Sequence, residues 1–276
     1  MKPESFALSQ QSSALLARGR TAEIYAWGNG RVLKLFFDWC PESWARQEAR
    51  VTRAVHAAGL PVPAVEDMIE VDGRTGIVFE RVAGRSMVQE LLARPWQLYR
   101  IASTLAELHA AMHKCEVPGL PSFSAALERS VRGLDGLPDA TKETVLRLLA
   151  RLPEGNAVCH GDFHPDNVLL TERGPVILDW MTATEGNPLG DVARTSLILQ
   201  MGGPPPGQRG GWLLRQASLL ADRIYLRRYF ALRPGSREQL TRWLIPVATA
   251  RLEEEIPGER EKLLAIIETG VAKLQR

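Results

Sequence analysis

Cysteine is scarce. Cys40, Cys115 and Cys159 are the three in 276 residues, too few and too scattered for a disulfide framework or a Cys-rich zinc site. Long apolar runs are missing too. No stretch reaches the roughly 18–20 residues of a spanning helix, so no membrane partner is expected. The N-terminal MKPESFALSQQSSALLARGR lacks the basic start and apolar run of a secretory signal, and a cytoplasmic location is the expectation. Neither sign of charge dominates: 34 Lys and Arg against 32 Asp and Glu leave a net charge of +2. The basic surplus in residues 205–276 is spread along a helical pattern and makes no nucleic-acid footprint. Lysine is also rare, with six against 28 arginines. A lysine inside an apolar strand is therefore a residue to explain.

What is present is ordinary for a globular chain, with 45% hydrophobic and 24% charged residues. Two differently patterned parts follow one another. In the first, AEIYAW (22–27), a Gly28-Asn29-Gly30 turn and RVLKLFF (31–37) predict a β-hairpin, because Asn-Gly supplies the positive φ of tight turns. Pro41 opens a helix to about Ala58, which Gly59, Pro61 and Pro63 end. AVEDMIEV (64–71) and TGIVFERV (75–82) predict a second hairpin. After Gly84 the pattern turns helical, with candidates at 86–93, 96–113, 139–152, 189–201, 208–231, 236–253 and 258–274. GGPPPGQRGG (202–211) reads as a loop. The division falls into 1–84 and 85–276, an antiparallel sheet with one helix followed by a larger, mainly helical part, an α+β class.

A short β island, AVCHGDFHPDNVLLTERGPVILDW (157–180), interrupts the helices. Val168–Leu170 and Val176–Leu178 make a hairpin. Centred on Arg173, its register sets Leu170 against Val176, Val168 against Leu178, and Asn167 against Asp179. A carboxylate and an amide oxygen at one hairpin mouth suit a hard cation such as Mg²⁺. Asp162 lies five residues before Asn167, a third polar group near the same point.

Asp-x-x-x-x-Asn followed by a strand-terminal Asp is the layout of a kinase catalytic loop and metal aspartate. The wording His160-Gly161-Asp162-Phe163-His164-Pro165-Asp166-Asn167, then Leu178-Asp179-Trp180, resembles the aminoglycoside phosphotransferase and choline kinase superfamily. The resemblance implies a bilobal protein-kinase-like fold, with 1–84 as the nucleotide-binding lobe and 85–276 as the catalytic and substrate-binding lobe. It implies transfer of the γ-phosphoryl group of ATP or GTP to a hydroxyl of a small molecule: an aminoglycoside-like antibiotic, a choline-like amino alcohol or a sugar. Asp162 would orient that hydroxyl and accept its proton, Asn167 and Asp179 would hold Mg²⁺, and His160 would brace the loop. The resemblance also suggests that Asp191, read from its position as a helix N-cap, braces the loop.

Lys34 alternates with Leu33 and Leu35 and so shares a strand face with Val32 and Phe36, a place for a nucleotide phosphate contact. Glu48 falls inside the Trp44, Val51, Val55 stripe of the following helix, where a carboxylate is costly unless paired, and Lys34 is the expected partner. Glu42 is the competitor, in the first turn. Gly19-Arg20-Thr21-Ala22-Glu23 is the expected nucleotide loop, with Gly19 its single glycine rather than Gly-x-Gly-x-x-Gly. Glu80 and Val82, at the end of the last strand, form the expected hinge whose backbone meets the base.

Two other readings compete. His160, Asp162 and His164 alternate as ligands of a zinc hydrolase would, although the sequence offers no further ligand pattern. A non-catalytic nucleotide-binding relative would not need Lys34, Asp162, Asn167 and Asp179 together. His109 and His113 share a helix face, but Ala110 stands where a zincin has Glu, and packing is the expectation. Cys159 reads as a buried strand cysteine, and Arg215, Arg223, Arg227 and Arg228 as a solvated helix face.

Overall fold

The computed structural model describes residues 5–6, 14–202 and 211–274. In chain order the elements are β1 (Ser5–Phe6), β2 (Leu15–Arg18), β3 (Ala22–Ala26), β4 (Arg31–Phe36), α1 (Glu42–Ala57), β5 (Val65–Val71), β6 (Arg74–Glu80), β7 (Arg85–Ser86), α2 (Met87–Ala93) and α3 (Leu98–Met112). Then come α4 (Phe123–Gly133), α5 (Asp139–Leu149), β8 (Ala157–Cys159), β9 (Val168–Thr171), β10 (Gly174–Ile177), β11 (Thr184–Gly186), α6 (Pro188–Met201), α7 (Gly211–Leu232), α8 (Arg237–Arg251) and α9 (Arg260–Leu274). The loop expected at 202–211 and the first residues of the helix expected from 208 lie outside the described residues.

These elements form two compact units. One is Met1–Met87 with Asp166–Thr182, and the other is Val88–Pro165 with Ala183–Arg276. Residues 166–182, which a linear division at 84/85 assigns to the second part, pack with the first.

The first unit is built on a six-stranded sheet in the order β1-β5-β6-β4-β3-β2, antiparallel except where β1 runs parallel to β5. The expected turn joins β3 to β4, with Gly28, Asn29 and Gly30 all at positive φ. Strand alternation divides the apolar side chains between two faces. Leu33 and Leu35 of β4 pack with Ile69, Val71 and Val78. Phe36 packs with Ile77, Phe79 and the α1 residues Ala45 and Ala49, and Val32 joins them. Lys34 therefore lies on the α1 side of the sheet.

A second sheet in this unit runs β10-β9-β7. Its hairpin differs from the sequence expectation by one residue. Pro175 faces Leu170, Val176 faces Leu169 and Ile177 faces Val168. The turn has two central residues, Glu172 and Arg173, because Thr171 clamps it: its Oγ1 accepts from the Arg173 amide at 3.1 Å and donates to the Gly174 carbonyl at 2.7 Å. Leu178, not Asp179, follows as the neighbour of Asn167, and its amide donates to the Asn167 carbonyl at 2.9 Å.

In the second unit α3 packs on α7, α6 on α8, and α8 on α9, with β8 and β11 as a two-stranded ladder. α4 was not foreseen. Ser122 caps it through the Ala125 amide, and it buries Phe123, Leu127 and Val131. Phe123 lies against Gly190 of α6, where a Cβ would stand 2.3 Å from its ring, so that crossing requires glycine. No described helix is long and apolar enough to cross a membrane.

Candidate active site

Lys34 sits on the central strand β4, between β3 and β6, where its backbone is paired on both sides. The side chain is 8% exposed and ends at two carboxylates. Its Nζ donates to Glu48 Oε1 at 2.7 Å and to Asp179 Oδ1 at 3.0 Å. Burial alone would lower the lysine's proton affinity; Glu48 and Asp179 outweigh it and hold the ammonium protonated. Glu48 is 2% exposed, and its second oxygen, Oε2, has no hydrogen-bond partner among the described residues. Burial pushes its carboxyl up to about 7, against the pull of Lys34. Glu42, the competing candidate, instead bonds Arg46 on the helix surface. Trp44, read as part of the buried stripe, is half-exposed and meets Trp39 edge to face at 6.1 Å.

Asp179 reaches Lys34 from a left-handed backbone position, φ 61, immediately after the strand pairing ends. Aspartate tolerates this conformation better than most side chains, and residues held there cluster at functional sites. Asn167 closes the 3₁₀ turn Pro165–Asn167 that leads into β9. Asn167 and Asp179 are thus one residue out of the expected cross-strand register, although both remain at the open end of one hairpin. A carboxylate and an amide oxygen fit a hard divalent cation; neither suits a soft one.

The other nucleotide candidates also lie in this unit. Gly19 begins the turn between β2 and β3, its amide donating to the Ala22 carbonyl at 2.8 Å. Glu80 is exposed at the end of β6, with its amide donating to the Ala64 carbonyl at 2.9 Å, and Val82 follows it beyond the strand.

Asp162 belongs to the second unit, in the loop after β8. Gly161 turns this loop at φ 77, a conformation that favours glycine. Asp191, in the first turn of α6, holds it: Oδ2 accepts from the His160 amide at 2.6 Å and Oδ1 from the Gly161 amide at 2.9 Å. The helix N-cap is Asn187, which accepts from the Leu189 amide, so the N-cap reading of Asp191 is corrected and the bracing contact is present. His160 is fully buried, and its Nδ1 accepts from the Asp162 amide at 3.3 Å. The Asp162 carboxylate faces His164 at 3.5 Å and Arg194 at 3.9 Å. Burial raises its pKa, but the His164 hydrogen bond and charge, followed by Arg194 and His160, outweigh this and hold it at about 2.

Behind Asp191 stand two histidine–tyrosine pairs. His109 places Nε2 at 2.9 Å from Asp191 Oδ2 and Nδ1 at 2.6 Å from Tyr225 Oη. His113 repeats this at 3.4 Å, and at 2.7 Å from Tyr229. A carboxylate can only accept, so each Nε2 carries the proton and each tyrosine hydroxyl donates to Nδ1. Their donor atoms and Asp191 lie within 4.8 Å of one another, and among the described residues this is the grouping with metal-ligand spacing. His160, Asp162 and His164 are not gathered in that way, which disfavours the zinc-hydrolase reading. Cys159 is buried, and burial pushes its thiol well above the ordinary range. Sequence reasoning missed Arg194, Tyr225 and Tyr229. Arg194 follows Asp191 by one helical turn, which was the available signal.

A family model described as the phosphotransferase enzyme family matches residues 17–216, and the chain belongs to that family. The chain is 34% identical over 133 residues to an aminoglycoside 3'-phosphotransferase from Streptomyces fradiae, covering 42% of this chain and 49% of the relative. It thus spans about half the length of that curated relative. The crystal structure of an aminoglycoside-3'-phosphotransferase of type VIII matches with a TM-score of 0.60 at 21% identity, over 87% of this chain and 93% of that one. An amicoumacin kinase solved with AMP-PNP, Ca²⁺ and its ligand Ami matches with a TM-score of 0.64 at 13% identity, over 98% and 90%. The fold is the protein-kinase-like α+β fold of these enzymes.

Proposed function

We propose that this chain transfers the γ-phosphoryl group of ATP or GTP to a hydroxyl of a small molecule. The observation that carries the reading is the buried Lys34, protonated between Glu48 and Asp179. An ammonium held by two carboxylates on a strand face is costly as a structural element and suited to neutralising nucleotide phosphate.

In this reading residues 1–84 bind the nucleotide, with Gly19 near the phosphates and the Glu80–Val82 backbone against the base. Residues 85–276 serve catalysis and acceptor binding, and within them the 166–182 segment supplies Asn167 and Asp179. These two would hold Mg²⁺, which when bound neutralises charge on the transferring phosphate. Lys34 binds and orients the phosphate oxygens, and Glu48 fixes the direction of its ammonium. Asp162 orients the acceptor hydroxyl and receives its proton. A loose transition state asks little of a base, so the low pKa of Asp162 is compatible with that role. His160 and Asp191 hold the loop.

The acceptor class is an aminoglycoside-like antibiotic, a choline-like amino alcohol or a sugar. The test is nucleotide consumption by purified protein over a panel of hydroxylated antibiotics and metabolites, with and without Mg²⁺. Acceptor-dependent consumption supports the reading. Stoichiometric tight zinc with acceptor-independent hydrolysis would reject it.

A further inference from the structure

We propose that Arg194 is a positioning residue for Asp162, and that Glu254 sets how far its guanidinium stands from that carboxylate. The proposal rests on the phosphoryl-transfer reading of Asp162 and concerns residues of the second unit alone.

Arg194 divides its donors among three partners. Nε donates to the Gly161 carbonyl at 3.0 Å, within the loop that carries Asp162. One terminal nitrogen meets Glu254 Oε1 at 2.5 Å, and the other stands 3.9 Å from Asp162 Oδ1. The guanidinium is planar and rigid, so the short contact to Glu254 fixes the long one to Asp162.

Glu254 is itself held. It lies in a single 3₁₀ turn, Leu252–Glu254, that ends at Glu255 with φ 49. Arg251 reaches Glu254 Oε2 at 3.3 Å and grips Glu259 with two bonds, Nε to Oε2 at 2.6 Å and the terminal nitrogen to Oε1 at 2.9 Å. Arg251 and Glu259 are buried. Charges thus alternate along one chain: Asp162, Arg194, Glu254, Arg251, Glu259. Removing any member leaves its neighbours to find new partners.

The distance matters because a guanidinium in full contact with a carboxylate forms a paired, charge-assisted bridge that engages both oxygens and fixes the direction in which the carboxylate points. Such a bridge would withdraw Asp162 from the acceptor hydroxyl. At 3.9 Å, Arg194 steadies the loop and favours the ionised carboxylate without closing that bridge. Glu254 is the group that restrains Arg194 from closing.

Glu254→Gln, Arg194→Met and the double variant test this. In a crystal structure of Glu254→Gln, Arg194 should close on Asp162 to within about 3 Å. The same variant should lose roughly tenfold in kcat at saturating nucleotide, with nucleotide affinity unchanged. Arg194→Met should also lower kcat without altering nucleotide affinity. Adding Glu254→Gln to it should cost nothing further, because the relay is already cut. Independent, multiplicative losses, or an Arg194 that stays in place in the Glu254→Gln structure, would overturn the proposal. Absence of phosphoryl transfer in the unaltered protein would reject the functional reading instead, and the crystal structure decides the geometric claim in either case.

Discussion

Lys34 and Asp179 stand 145 residues apart in sequence and 3.0 Å apart in space. Both lie in the first unit, so packing within one compact body sets this meeting. The same ammonium is bonded to Glu48, and the three groups make a charged triad with a partly exposed carboxylate at one end.

Removing the cation should cost both stability and nucleotide use. Lys34→Met leaves Glu48 buried without its partner, a loss of about 3–5 kcal/mol in unfolding free energy. Adding Glu48→Leu should restore much of that stability and none of the activity. Denaturant unfolding beside kcat/KM for nucleotide measures both. Glu48→Gln should lower kcat/KM less severely than Lys34→Met.

Asp179→Asn should abolish metal-dependent phosphoryl transfer while the fold persists, because the change removes charge and keeps shape. A metal-held charge lowers the barrier by several kcal/mol. Turnover within about threefold of the unaltered protein would exclude Asp179 as a metal ligand.

His113 gives the protein an acid-sensitive stability. Its burial, reinforced by His109, lowers its pKa from 6.5 to about 4 against the pull of Asp191. Between those values the unfolded chain binds a proton that the folded chain refuses, so stability falls as pH drops from about 6.5 to about 4. Above that window the contribution is fully present. His113→Gln removes the titration, and urea midpoints across pH 4 to 7 should show a flatter slope than in the unaltered protein.

Asp191→Leu should unfold the chain or leave it inactive, since the amides of His160 and Gly161 and two histidine donors all face its carboxylate. Asp191→Asn keeps one acceptor oxygen and should retain the fold at reduced stability. Circular dichroism melting separates the two variants.

The sequence made much of the first unit legible. Asn29-Gly30 identified the β3–β4 hairpin, and Pro41 with Gly59 bounded α1, because turn and cap chemistry is local. The Lys34–Glu48 pair was legible as an unpaired charge in each of two apolar patterns. The register of β9 and β10 was not, because Thr171 closes a two-residue turn where the pattern suggested a five-residue connection, 171–175, centred on Arg173. Trp44 followed the helix period yet lies outside the core, held by Trp39 from a neighbouring loop. Arg194 and Glu254 were invisible as a pair. Nothing local links residues brought together from the middle of α6 and a distant turn, and each alone reads as a surface charge.

The central claim is that Asp162 directs phosphate onto a small-molecule hydroxyl. Phosphorus NMR of the reaction of purified protein with Mg²⁺, nucleotide and an accepted substrate tests it most directly, run in parallel on Asp162→Asn. The unaltered protein should form a new phosphate monoester on the acceptor, at a rate cut by roughly 10²–10⁴ in the variant while nucleotide affinity holds. Inorganic phosphate as the sole product, or an equal rate of monoester formation in Asp162→Asn, would contradict it.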